Sequence, residues 1–131
     1  MANYFEKLKS LSTKAYAPYS NFHVSTICVL KDGTEVNGVN IENAAYSVVL
    51  CAERTCLAQV YTLGYRKADI KKLFLYTDSN QKGSPCGMCR QFLLELIDHD
   101  VPLEIYNKKG ESYVVTIGDL LPYGFTKEDL K

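Results

Sequence analysis

Three cysteines in two separated segments restrict this chain more than any other feature. Cys51-Ala52-Glu53-Arg54 supplies one thiol and, two residues on, a carboxylate. Pro85-Cys86-Gly87-Met88-Cys89-Arg90-Gln91 supplies a C-x-x-C pair behind a proline. A C-x-x-C alone is weak evidence, but joined to a third thiol it points to a metal or redox site. Zinc prefers tetrahedral N/S coordination, with four protein ligands at a structural site and three plus an open position at a catalytic one. Cys86 and Cys89 are about 60° apart around a helix, so both can face one ion, and Cys51 opens a second helix. A fold that satisfies this spacing points two helix N-termini at one place, where their positive ends favour thiolate over thiol.

The other two cysteines read as packing residues. Cys28 sits between Ile27 and Val29 in an apolar strand, and Cys56 lies more than a turn beyond Cys51; buried free cysteines commonly behave as small hydrophobes. The expected centre therefore has three thiolates, one Zn2+ per chain and water in the fourth position. Three thiolates and Zn2+ carry a net negative charge, and Arg54 is the cation placed to offset it. Glu53 is about 200° from Cys51 on an ideal helix, so the two should not bind one ion side by side. At a helix tip both can still reach a ligand beyond the end. A non-ligand carboxylate beside metal-activated water is a proton shuttle.

The rest of the composition narrows the function classes. The 131 residues fit one domain, 1–131, with a substantial core. Lys+Arg and Asp+Glu both number 15, which argues against attachment to nucleic acid or an anionic membrane by bulk charge. No apolar run approaches a membrane span, and no basic-then-apolar leader is visible. Five cysteines, an odd number, in a chain too long to need staples suit a reducing, cytoplasmic setting.

The periodicities predict helix, hairpin, helix, strand, helix, strand, strand. Asn3 caps a first helix with Glu6 in the capping-box position, and Tyr4, Leu8, Leu11 and Ala15 form its apolar face. Val24 to Lys31, Asp32-Gly33 and Thr34 to Val39 form a hairpin. Ser47 to Leu63 reads as a buried helix with Gly64 as its C-terminal cap. Lys72 to Thr77 is a central strand, Cys86 to Asp98 a third helix behind Pro85, and Val101 to Tyr106 and Ser112 to Ile117 are the last strands. The resulting α/β expectation is a three-layer α/β/α sandwich, with a mixed five-stranded sheet and helices on both faces.

With these segments in place, the chain resembles the zinc-dependent cytidine deaminase family, the small homotetrameric type. The resemblance rests on Ala15-Tyr16-Ala17-Pro18-Tyr19-Ser20-Asn21-Phe22, on Gly38 to Tyr46, on the two cysteine segments, and on Leu120-Leu121-Pro122 with Phe125. It implies hydrolytic deamination of cytidine and 2′-deoxycytidine to uridine or deoxyuridine and ammonia, in pyrimidine salvage. Zinc would lower the pKa of its water, hydroxide would attack C4, and Glu53 would carry the protons. Asn40 and Glu42 would bind the ribose hydroxyls, Phe22 would pack on the base, and Ala52 would line the substrate site. Phe125 of a neighbouring subunit would help close the site, with Tyr46 near that interface.

Departures from the family's usual pattern are Ser25-Thr26-Ile27 in place of Gly-Ala-Ala, and Met88 and Cys56 where alanine is frequent. His23 and His99 match no catalytic position. Rival readings are a deaminase of an aminonucleoside antibiotic such as blasticidin S, a non-catalytic zinc-stabilised binding module, and a polynucleotide-editing enzyme. The zero net charge weighs against the last.

Overall fold

In the computed structural model, which describes residues 3–81 and 83–130, the first helix α1 is Tyr4–Ser12. Asn3 caps it, its side-chain oxygen accepting from the Glu6 N–H at 3.1 Å. The helix stops short of the expected Ala15. The hydroxyls of Ser12 and Thr13 each donate back to a carbonyl three residues earlier at 2.7 Å, a local bond that competes with further helix.

Strands β1 (Val24–Leu30) and β2 (Glu35–Val39) form the predicted hairpin, with Ser25 opposite Val39 and Val29 opposite Glu35. β1 also pairs antiparallel with β3 (Ile70–Thr77), which pairs parallel with β4 (Pro102–Tyr106). β5 (Ser112–Thr116) closes the sheet antiparallel to β4, giving the order β2-β1-β3-β4-β5. The period of two along β3 separates two cores. Leu73 and Leu75 face helices α2 (Ala52–Thr62) and α3 (Gly87–Leu96), against Leu57, Val60, Leu93 and Ile97. Phe74 and Tyr76 face α1 with Leu8 and Ile27, and Tyr4 stacks on Phe74 at 4.1 Å. Each fully buried large aliphatic contributes about 1.5–3 kcal/mol, so both layers are held by packing. The mixed five-stranded, three-layer expectation is met.

Two sequence departures find a physical role here. Ser25 is buried and donates its hydroxyl to the Leu8 carbonyl at 2.7 Å, tying α1 to the sheet. Cys56 is buried and donates to the Val36 carbonyl at 3.2 Å, tying α2 to β2. Nothing in the structure explains Thr26, whose hydroxyl is buried without a hydrogen-bond partner among the described residues. Met88 is exposed on the first turn of α3.

The second helix corrects the expected start at Ser47. A single 3-10 turn forms at Tyr46–Val48, and the chain is then extended through Val49. Ile41 and Leu50 exchange two backbone hydrogen bonds at 2.9 Å. That bridge holds the chain straight past Leu50, so α2 begins only at Ala52, with Cys51 as its extended cap. Gly64, at φ +99°, supplies the left-handed residue that ends it. The third helix likewise begins one residue later than expected, with Cys86 as cap, and ends at Leu96 before an extended Ile97.

Gly38 sets the depth of α2 against the sheet. A Cβ there would lie 2.5 Å from the Ala52 carbonyl oxygen and from the Cys56 nitrogen, both backbone atoms of the first turns of α2. Gly38→Ala is therefore expected to cost about 1–3 kcal/mol or more and to push the N-terminus of α2 outward. Thermal unfolding should show a Tm lower by several degrees and a parallel loss of activity; an unchanged Tm would disprove the close approach.

Candidate active site

The site forms where α2 and α3 begin. Cys51 (φ −75°, ψ 156°) and Cys86 (φ −65°, ψ 166°) are the caps of the two helices, and Cys89 is in the first turn of α3. Their carbonyls accept the first helical N–H groups, Thr55 to Cys51 at 3.0 Å and Arg90 to Cys86 at 2.9 Å. The extended cap conformation takes Cys51 and Cys86 out of the helices they precede. The three sulfurs lie within 4.8 Å of one another, and Cys51 Sγ is 3.8 Å from Cys86 Sγ.

Those distances fit zinc. Tetrahedral bonds of about 2.3 Å place neighbouring sulfurs about 3.8 Å apart. Among the described residues this is the one cluster with a metal-binding arrangement, and neither Cys28 nor Cys56 belongs to it. One thiolate of the cluster, that of Cys51, is already favoured. Cys51 is drawn down to about 5, first by the hydrogen bond from Cys89 and then by Arg54, against its partial burial. Cys89 is pushed well up by that same bond and by its burial. Three close thiolates repel, and a divalent cation removes that penalty.

Arg54 reaches back across the tip of α2. Its Nη2 donates to the Val49 carbonyl at 2.5 Å and lies 4.0 Å from Cys51 Sγ, so the predicted offsetting cation is in contact with the cluster. Glu53 is the second residue of α2 and only 3% exposed. Burial raises its carboxyl to about 7, with the Cys51 charge adding to the effect. A carboxyl in that range can both take and return a proton near neutral pH. Because Cys51 is off the helix, the 200° between ideal helical positions does not separate it from Glu53. Both line one cavity of about 230 Å³.

That cavity also takes in Phe22, Asn40, Glu42, Ala52 and Cys86. Asn40 is 9% exposed, donates to the Phe22 carbonyl at 2.8 Å and accepts from the Val24 N–H at 2.9 Å. It thereby pins the segment that presents Phe22. Glu42 accepts from the N–H groups of Tyr19 and Ser20 at 3.0 and 3.1 Å and from the Ser20 hydroxyl, which hold its carboxylate low in pKa, the hydroxyl most. Both predicted sugar-binding residues thus also brace the segment that ends in Phe22.

Cys89 and Arg54 lie behind the lining, and two predicted substrate-binding residues also stand outside the cavity of their own chain. Tyr46 is 82% exposed beside a neighbouring depression that shares Glu42 and Val49. Phe125 is 56% exposed, its backbone held by the Gln91 side chain through bonds of 2.7 and 3.1 Å. His23 pairs with Asp78 at 2.9 Å and His99 is exposed; neither lines the cavity. Sequence reasoning missed Val24, Leu75, Thr77 and Ser84, which do line it. Leu75 and Thr77 belong to an apolar strand with no local sign of a site, and only the period of two could have placed them on the α2 side.

The comparisons with known proteins agree with this geometry. Residues 1–105 match the family model described as the cytidine and deoxycytidylate deaminase zinc-binding region. A cytidine deaminase of Halalkalibacterium halodurans is 40% identical over 116 residues, covering 88% of this chain and 86% of that one. One from Sporosarcina psychrophila is 41% identical over 122 residues, covering 93% and 88%. The crystal structure of cytidine deaminase from Burkholderia pseudomallei superposes with a TM-score of 0.89 at 38% identity, covering 95% of this chain and 100% of that one. Matched over most of its length in sequence and in fold, and with three sulfurs spaced for the metal, this chain belongs to the zinc-binding cytidine and deoxycytidylate deaminase family.

Proposed function

We propose that this chain is a single catalytic domain that deaminates cytidine and 2′-deoxycytidine hydrolytically. The observation that carries the reading is the shared cavity, which the buried Glu53 lines together with Cys51 and Cys86. The cavity is smaller than the roughly 300–1,000 Å³ clefts that hold drug-sized ligands, which suits one planar pyrimidine. Relatives named cytidine deaminase support the substrate. The Glu42 carboxylate on the wall favours sugar hydroxyls over a phosphate.

Cys51, Cys86 and Cys89 hold the zinc, which supplies Lewis-acid activation of a water when bound. Arg54 offsets the excess negative charge of the thiolates. Phe22 packs on the base, Ala52 lines its bed, and Asn40 and Glu42 orient the sugar. Glu53 takes a proton from the attacking water and delivers it to N3 of the base. A bond forms between the water oxygen and C4; Glu53 then takes the remaining proton from the new C4 hydroxyl and passes it to the amine as the C4–N bond breaks and the C4 carbonyl forms. Burial prepares Glu53 for both transfers, because a carboxyl near 7 is close to balance between its two states.

The working unit is a homotetramer in which Phe125 and Tyr46 of one subunit border the site of another. Exposed apolar side chains in the segments flanking the ligands, Tyr46, Val48, Leu50 and Met88, together with Phe125 held beside Gln91, support a covered surface. All five cysteines are free, and three act as thiolate ligands, which suits a reducing, cytoplasmic setting in pyrimidine salvage. Among the described residues no helix is long and apolar enough to cross a membrane.

One assay tests the whole reading. Initial rates with cytidine, 2′-deoxycytidine, cytosine and blasticidin S, with and without a zinc chelator, should show turnover of the two nucleosides only, abolished by the chelator. Specific activity should fall as the protein is diluted below its assembly range. Turnover of blasticidin S alone would overturn the substrate assignment, and a fully active monomer would remove Phe125 from the site.

A further inference from the structure

Arg90 follows the last cysteine of the cluster and takes no part in the proton transfers. It occupies the fourth position of α3, where the helix dipole disfavours a cation. Its guanidinium is held there by three diverging bonds. Nε donates to the Pro85 carbonyl at 2.7 Å, Nη2 to the Ser84 hydroxyl at 2.6 Å, and Nη1 to the Leu120 carbonyl at 2.8 Å. No carboxylate is among these three acceptors.

The three acceptors are placed where a metal ligand most needs support. Cys89 is fixed within a helix turn, and Cys51 follows the two-bond bridge between Ile41 and Leu50. Cys86 is the exposed member of the cluster, and the residues that lead into it, 83–85, belong to no helix or strand. Pro85 lacks an N–H and cannot donate to hold this turn, while the Tyr113 hydroxyl holds its first residue by donating to the Gly83 carbonyl at 2.6 Å. Two of the Arg90 bonds go to the two residues immediately before Cys86. The third goes to Leu120, which is 6% exposed at the end of a 3-10 turn, Gly118–Leu120, after β5.

We propose that Arg90 is a positioning residue for the metal centre: it holds the Ser84–Pro85 turn so that Cys86 stays in register with Cys51 and Cys89, using Leu120 as its fixed point. The inference rests on Cys86 being a ligand. A planar guanidinium can donate to three separated acceptors at once, whereas the single nitrogen of a lysine cannot span them. Charge alone is therefore not the requirement at this position. Partners that orient metal ligands commonly change metal affinity by roughly 10- to 100-fold when removed.

The test is zinc release from the intact holoenzyme to a chromophoric zinc chelator, read beside zinc content, Tm and the kinetic constants for cytidine. Arg90→Lys is expected to release zinc roughly 10-fold or more faster, with KM for cytidine nearly unchanged. Ser84→Ala, which removes one acceptor, should give a smaller acceleration and serves if Arg90→Lys does not fold. Tyr61→Phe is the control, because the Tyr61 hydroxyl anchors the far end of α3 through the Leu96 carbonyl at 2.7 Å. It should lower Tm without accelerating release. Release from Arg90→Lys within twofold of wild type would overturn the proposal, as would equal acceleration in Tyr61→Phe, which would show general loosening of α3. Cys86→Ala tests the underlying ligand assignment separately: full zinc in that variant would sink the ligand reading itself, whatever Arg90→Lys does.

Discussion

Glu53→Gln should leave zinc at one per chain and lower cytidine turnover by roughly 10²–10⁴-fold, or by more where one residue makes every proton transfer. Glutamine matches glutamate in shape, so the 3%-exposed pocket at the second position of α2 stays filled. What is lost is the ability to exchange a proton. The folded protein should not suffer, because a buried carboxyl raised to about 7 already carries a desolvation cost that a neutral amide does not. Tm should therefore be equal to or above that of the wild type while activity collapses. The ultraviolet change from cytidine to uridine reads the turnover, and elemental analysis reads the metal. Near-normal turnover would remove Glu53 from its role. Loss of zinc would instead make it a ligand, against the geometry in which, among the described residues, only the three cysteines cluster.

Cys89→Ala should take zinc below one per chain and abolish turnover with it. Cys89 is fully buried in the first turn of α3, so no other donor among the described residues is placed to substitute for it. The effect on stability has two parts of different size. Removing a small buried side chain costs about 1 kcal/mol. Losing a ligand that binds only the folded state costs about 4 kcal/mol when free zinc exceeds its Kd by about 1,000-fold. The metal term dominates, so most of the fall in Tm should vanish when wild type and variant are compared in chelator. Cys56→Ala separates the cases. It deletes an equally buried sulfur that bonds the Val36 carbonyl outside the cluster, and it should keep full zinc. Full stoichiometry in Cys89→Ala would show that the ligand set is wrong.

The two cysteine segments were legible because their chemistry is local. A C-x-x-C at a helix start needs only helix geometry to face both sulfurs one way, and the order of apolar and polar residues then separates strands from helices. The Asp32-Gly33 hairpin and the Asn3 cap were legible for the same reason, since each depends on neighbours within a few residues. The start of α2 was not. Ser47 to Leu50 has helix-compatible composition, but the partner that holds it extended is Ile41, paired with Leu50. A bond formed across the fold outweighed a weak local preference.

The same division runs through the site. Residue types and spacing alone pointed to three thiols and a carboxyl brought to one centre, since few other arrangements use those groups together. Tertiary structure decided how they meet. The extended cap at Cys51 removes the angular conflict with Glu53, and Gly38 lets α2 approach the sheet closely enough to bury that carboxyl. Asn40 and Glu42 brace the segment that ends in Phe22 through partners 18 to 23 residues away, and Arg90 reaches 30 residues to Leu120. Such bonds depend on strand register and on the packing of helices over a sheet, which set distances between residues that local sequence leaves unrelated.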